Sequence, residues 1–212
     1  MADRAAGPVP VAPAPPWRGI DELARLVGAW CWTEQRVFEI AGAWGSTVRT
    51  GEGAGEHPGA GTPSLTVWCA AAARRHGDLA RAWADHLPVR AGVDQAALVA
   101  PPGAALAADL DTLGALPVGF EGFAVLVEAV LPGLRRVYAD HLATASPVSE
   151  GPVVELLVGA GRALEGEITD AGRLLAAHRA GGHEAGPAGR ALAAAFERSL
   201  GPGGVFPAVR PS

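Results

Sequence analysis

This chain has little cysteine, no long apolar run, no dense basic block and no strand-like alternation, and each shortage excludes something. Two cysteines, Cys31 and Cys69, occur in 212 residues. Both sit in apolar helical surroundings, so the expectation is two buried free thiols in a reducing compartment, with no disulfide framework. No stretch reaches eighteen uncharged apolar residues, so no membrane span is expected. The opening MADRAAGPVPVAPAPPW is too rich in proline for a signal peptide. The basic doublets Arg74-Arg75 and Arg135-Arg136 read as solvated helix faces, and nucleic acid is not an expected partner. Aromatic residues are only 6% of the chain, yet six of them are tryptophans. No segment alternates with period two over strand length. Motifs that would mark a nucleotide, zinc or serine-nucleophile site are absent as well: no CxxC, no HExxH, no Gly-x-Ser-x-Gly, and no glycine-rich loop after a strand.

What is present is an alanine-rich, 49% apolar chain carrying 17 basic and 22 acidic residues, for a net charge of −5. That length supports one sizeable core. Its 29 glycines and 18 prolines cluster between ordered segments. Residues 1–18 read as a flexible lead-in, 19–200 as one helical domain and 201–212 as a tail that is loose unless Val205 and Phe206 dock.

Four long helices are expected. The first runs from Asp21 to about Val48, with Val27, Trp30, Glu34, Val37, Ala41, Trp44 and Val48 at spacings of three and four. Gly-rich Thr50 to Thr62, which includes His57, connects it to a second helix from Pro63 to Leu87. Leu65, Trp68, Ala72, His76, Leu79 and Trp83 form the second stripe. A long crossover from Pro88 to Gly119 carries two short helices, near Asp94–Val99 and Ala104–Leu113. The third long helix, Phe120 to about Ala143, contains Pro132, which calls for a kink or break. Glu128, Leu131, Arg135, Tyr138 and Leu142 share a face there, with His141 at its border. The fourth follows Ser149, a candidate cap. Its expected stripe is Val153, Leu157, Ala160, Leu164, Ile168, Ala171 and Leu174, flanked by Arg162 and Glu165. A shorter helix, Pro187 to Leu200, closes the chain. The result is an all-α bundle with antiparallel neighbours.

Polar residues interrupt these apolar faces: Glu34, Glu128 and Glu165 on three helices, His76 and His141 on two, and Tyr138 beside His141. Burying such groups is costly unless they are paired, hydrogen-bonded or metal-bound. Each also has a plain structural reading, as a core histidine, an edge carboxylate or a pair along one helix. A dimetal site in a helical bundle uses a Glu on each of two helices and Glu-x-x-His on the other two. Here Ala73 stands three residues before His76, and Arg162 three residues before Glu165. That pattern offers too few negative ligands, and an arginine would repel metal ions. A metal-free site remains, in which Glu34 or Glu128 serves as base, His76 or His141 as proton donor, and Tyr138 orients the substrate. Trp30 and Trp68 would line the pocket, with Trp44 and Trp83, and Arg162 with Glu165 would help bind the substrate.

Taken together, Glu34 in WTEQRVFEI, His76 in ARRH, Glu128 followed by YADHLATASPVSEGP, and Arg162 to Glu165 in RALE give the chain a pattern that resembles the ferritin-like superfamily, specifically its bacterial oxygenases and hydroxylases. The resemblance covers about residues 20 to 180. It implies an antiparallel four-helix bundle with a long middle crossover and an additional C-terminal helix. The metal-free site in such a bundle is expected to take a small organic substrate. The expected activity is isomerisation, cyclisation, elimination or hydration without a cofactor. The alternatives are an iron- or manganese-dependent oxygenase, with ligands among Glu34, His76, Glu128, His141 and Glu165, and a non-catalytic ligand-binding or structural bundle. A cytoplasmic location and a homodimer complete the expectations.

Overall fold

The computed structural model describes residues 18–46 and 63–206. Val48, His57, the Gly-rich connection, most of the lead-in and the last six residues lie outside the described residues. Within them the chain is entirely helical, with no strand. We number the helices α1 (Ile20–Ser46), α2 (Pro63–Asp85), α3 (Gln95–Leu98), α4 (Ala104–Ala115), α5 (Phe120–Val125), α6 (Leu131–Leu142), α7 (Gly151–Ala180) and α8 (Pro187–Leu200). A π-helical segment, Leu126–Val130, joins α5 to α6.

α1, α2, α6 and α7 form the long bundle, and α2 and α7 also touch. α1 and α2 run antiparallel. The Cys31 thiol donates to the Ala80 carbonyl at 3.3 Å. Near the other end, Gly45 lies against the backbone of Ala70. Small residues permit this closeness: Ala41, Ala72 and Ala73 form a buried patch of their own. Gly28 is required for a different contact. A Cβ there would meet the Leu98 carbonyl oxygen at 2.0 Å, so α3 packs directly on the α1 backbone. α4 packs against α1 and α8, and the Ser199 hydroxyl donates to Asp109 at 2.7 Å across the α4–α8 contact.

The tail from Gly201 turns back onto the bundle. Val205 N–H donates to the Ser199 carbonyl at 2.9 Å, and Val205 and Phe206 both pack against the core. Residues 201–206, read as part of a flexible tail unless Val205 and Phe206 dock, are thus held against the bundle. Arg18, expected in the flexible lead-in, is instead buried.

The expected stripes hold on α1, where Val27, Trp30, Glu34, Val37, Ala41 and Trp44 are all buried. On α7 the buried positions are Val153, Leu157, Ala160, Leu164, Glu167, Ala171 and Leu175. The stripe thus passes through Glu167 where the sequence suggested Ile168. The third long helix departs most. Pro132 lies in the first turn of α6, just after the π turn. The proline has no N–H to give to a preceding carbonyl, and the widened π turn accommodates that loss. The extra residue in that turn shifts the helical phase of α6, so Glu128 and Tyr138 do not share a face. Glu128 is exposed and Tyr138 is fully buried. Among the described residues no helix is long and apolar enough to cross a membrane.

Candidate functional site

Two polar networks occupy the bundle interior, and Trp30 stands between them. The first is a chain that crosses four helices. Glu34 on α1 is fully buried. One of its oxygens accepts from His76 Nδ1 on α2, the other from the Tyr138 hydroxyl on α6. The opposite edge of the imidazole, Nε2, lies 3.5 Å from Glu167 on α7. The second Glu167 oxygen accepts from Arg75 at 2.8 Å. Arg75 is the outlet of the chain, with 37% of its side chain exposed.

The charges are consistent with such deep burial. Burial works to depress the His76 pKa, but the Glu34 charge, the facing Glu167 carboxylate and the hydrogen bond to Glu34 outweigh it and hold the imidazole up to about 9. Burial works to raise the Glu167 carboxyl, and the facing His76 ring together with the hydrogen bond from Arg75 overcomes it and brings it below its ordinary value. Burial, reinforced by the Glu34 charge, pushes the Tyr138 phenol well above 10, so it stays a donor. Two carboxylates, one imidazolium and one guanidinium then sum to zero. That balance offsets the several kcal/mol per ion that desolvation costs.

These residues do not fit a pair of iron or manganese ions. Glu34 is hydrogen-bonded to one edge of the imidazole and Glu167 faces the other edge at 3.5 Å without a hydrogen bond, so no single ion contacts all three groups as they stand. Both Glu34 oxygens and one Glu167 oxygen accept from protein donors, and the Arg75 guanidinium adds positive charge beside Glu167. Among the described residues, no three His, Cys, Asp or Glu side chains are arranged to hold a metal ion.

The second network sits one turn further along Tyr138's helix, at its C-terminal end. His141 Nε2 donates to Glu150 at 2.7 Å. Glu150 also accepts from buried Arg18 at 3.2 Å and from the Ser146 N–H at 3.2 Å. Arg18 in turn donates to the Thr144 hydroxyl at 2.7 Å. A carboxylate accepts only, so this bond places the neutral ring's proton on Nε2 and leaves Nδ1 as a free lone pair. Burial, helped by the Arg18 charge, lowers the His141 pKa, against the opposing pull of Glu150. His141 is therefore neutral at physiological pH. It lines a cavity of about 440 Å³ between the N-terminal half of α1, the C-terminal half of α6 and the segment after α8. Trp30 forms another wall, its ring 4.9 Å from the His141 ring in an edge-on arrangement. Trp30 also reaches Tyr138 (5.9 Å) and Trp83 (4.8 Å), so it separates the cavity from the first network.

The site residues expected from sequence therefore divide. Glu34, His76 and Tyr138 come together, but in the packed core. His141 and Trp30 face the cavity. Glu128 is corrected to a surface residue: it pairs with Arg179 at 2.7 Å across α7, after the π turn rotates it outward. Arg162 and Glu165 are corrected likewise, both exposed on the outer face of α7, because the inward carboxylate is Glu167, two positions after Glu165. Trp68 is half-buried and packs edge-on against Phe123 at 5.0 Å, as part of the core. Glu167, Arg75, Glu150 and Arg18 were not anticipated. The seven-residue repeats Leu157–Leu164–Ala171 and Ala160–Glu167 carry the signal for Glu167. Glu150 and Arg18 are 132 residues apart and carry none. Both cysteines are buried free thiols, as expected. No protein family, curated protein or solved structure matches the chain.

Proposed function

We propose that this protein is a metal-independent acid–base enzyme acting on a small organic molecule, with His141 as the proton-transfer group and Glu150 as its positioning residue. The observation that carries the reading is the His141–Glu150 pair on the wall of a ligand-sized cavity: 440 Å³ falls within the range of small-molecule pockets. A neutral imidazole with one nitrogen fixed by a carboxylate has a free lone pair and a defined tautomer, the arrangement a general base requires. The imidazolium that forms on proton uptake is stabilised by Glu150, while burial, helped by the Arg18 charge, favours the neutral resting ring. Proton uptake and return within one turnover needs no oxidant or reductant, which suits isomerisation, elimination, cyclisation or hydration.

We further propose that the bundle is a ferritin-like one whose central ligand positions have become a structural ion network. The convergence of Glu34, His76 and Glu167 from three helices at the bundle centre supports this. In this reading the chain from Tyr138 to Arg75 sets the position of α6, and so of His141.

The experiment is a solvent-exchange screen. Compounds shown by NMR to bind would be incubated with the protein in D₂O and followed by mass spectrometry. Enzyme-dependent deuterium uptake at carbon, abolished in His141→Ala and retained in Glu128→Ala, supports the reading. Binders that never exchange, or exchange unchanged in His141→Ala, overturn it.

A further inference from the structure

The cavity's polar rim points to the substrate class, an inference that rests on His141 facing the ligand. The interior is apolar: Leu26, Trp30, Val137, Leu200 and Phe206. Three charged side chains also line it: Arg18, Arg136 and Asp140. Arg18 is committed to Glu150 and Thr144. Arg136 and Asp140 are exposed at the rim, and among the described residues neither side chain has an ion-pair or hydrogen-bond partner.

Although one helical turn apart, they do not pair with each other. They lie at i and i+4 on α6, with Cβ atoms about 6 Å apart, and the cation is N-terminal to the anion. That order is the poorer one for a pair along a helix. The rim therefore presents one unspent positive and one unspent negative group, a helical turn apart, above an apolar chamber.

We infer that the cavity takes a zwitterionic amino acid with a large apolar side chain, its carboxylate on Arg136, its ammonium on Asp140 and its side chain against Trp30 and Leu200. Guanidinium forks suit carboxylates, and a carboxylate at the adjacent turn suits an ammonium two bonds away from the first group. A purely anionic ligand meets Asp140, and a purely cationic one meets Arg136, so both are disfavoured. The 440 Å³ volume accommodates an aromatic or branched side chain.

Isothermal titration calorimetry on the full chain tests this with L-phenylalanine, L-tryptophan, L-leucine and L-methionine. Controls are the amide of each, which keeps only the cation, and the N-acetyl form, which keeps only the anion. At least one free amino acid is expected to bind about tenfold more tightly than either of its derivatives, the equivalent of one charge-assisted hydrogen bond. Arg136→Gln should remove the preference over the amide, and Asp140→Asn the preference over the N-acetyl form. Both positions are exposed, so the fold should survive either change. Equal affinity for all three forms, selectivity untouched by both variants, or no binding by any of the four amino acids overturns the inference. The readouts separate it from the acid–base reading. Selective binding without solvent exchange overturns only the enzyme, and exchange on an uncharged compound without amino-acid binding overturns only the substrate class.

Discussion

Raising the pH should weaken this fold in a range where most helical proteins are indifferent. His76 is fully buried between two carboxylates, and its pKa is held at about 9 against an ordinary value of 6.5. A histidine whose folded pKa is raised contributes stability that is fully present below the unfolded value and lost as pH climbs through the folded one. The full interval corresponds to roughly 3 kcal/mol, of which about 2 kcal/mol should disappear between pH 6.5 and 8.5. Few other groups interfere. The chain contains no lysine. Tyr138, its one tyrosine, is held well above 10. Burial raises Cys31, and pushes Cys69 to about 12, so both thiols act above this window, beyond the unfolded value near 9. His141 is lowered, so its effect falls below the unfolded value near 6.5. The assay is urea unfolding at a series of pH values, read as midpoint and slope. Glu34→Gln should lose about 3 kcal/mol at pH 6.5, the typical cost of breaking a buried pair, and should flatten the pH profile. Wild-type stability unchanged from pH 6.5 to 8.5, or a slope identical in Glu34→Gln, would refute the charge assignment.

The same contacts set further outcomes. Glu128→Ala breaks only a half-exposed pair with Arg179 and should cost under about 1 kcal/mol, in contrast to Glu34→Gln; urea unfolding of both measures the gap. In an NMR titration the His141 ring should titrate below 6.5. Arg18→Gln should move it up and Glu150→Gln further down, because Arg18 opposes the imidazolium and Glu150 supports it. Gly28→Ala places a methyl group 2.0 Å from the Leu98 oxygen and should cost at least about 2 kcal/mol, visible as a lower Tm by calorimetry. Both thiols should react with a thiol reagent only on unfolding, since both are buried and their pKa values are raised.

Period and capping made the helices legible in sequence. Apolar residues at three- and four-residue spacing place α1 and α7, and Pro63, Pro152 and Pro187 sit at or next to the first residue of α2, α7 and α8. Reading polar residues off an apolar face also located Glu34 and His76, because a charge on a buried face needs a partner. The same logic failed on α7, where following apolarity led to Ile168 and past Glu167. A buried charge is the one residue that a hydrophobic pattern skips. Glu128 was misplaced for a different reason. A π turn inserts a residue into the helical phase, and no local composition in LVEAV announces it. The Arg18–Glu150 contact depends on tertiary closure over the ends of α1 and α7, which periodicity does not encode.

In the proposed reading, ligand enters the cavity at His141 and the Glu34–His76 network stays apart from it. The most direct measurement is a two-dimensional imidazole NMR spectrum recorded while the same four amino acids are titrated in. The His141 ring and the Trp30 indole signals should move together and saturate with the calorimetric affinity, while the His76 ring stays fixed. Ligand-dependent shifts at His76 with His141 unmoved would contradict it and place binding in the bundle core.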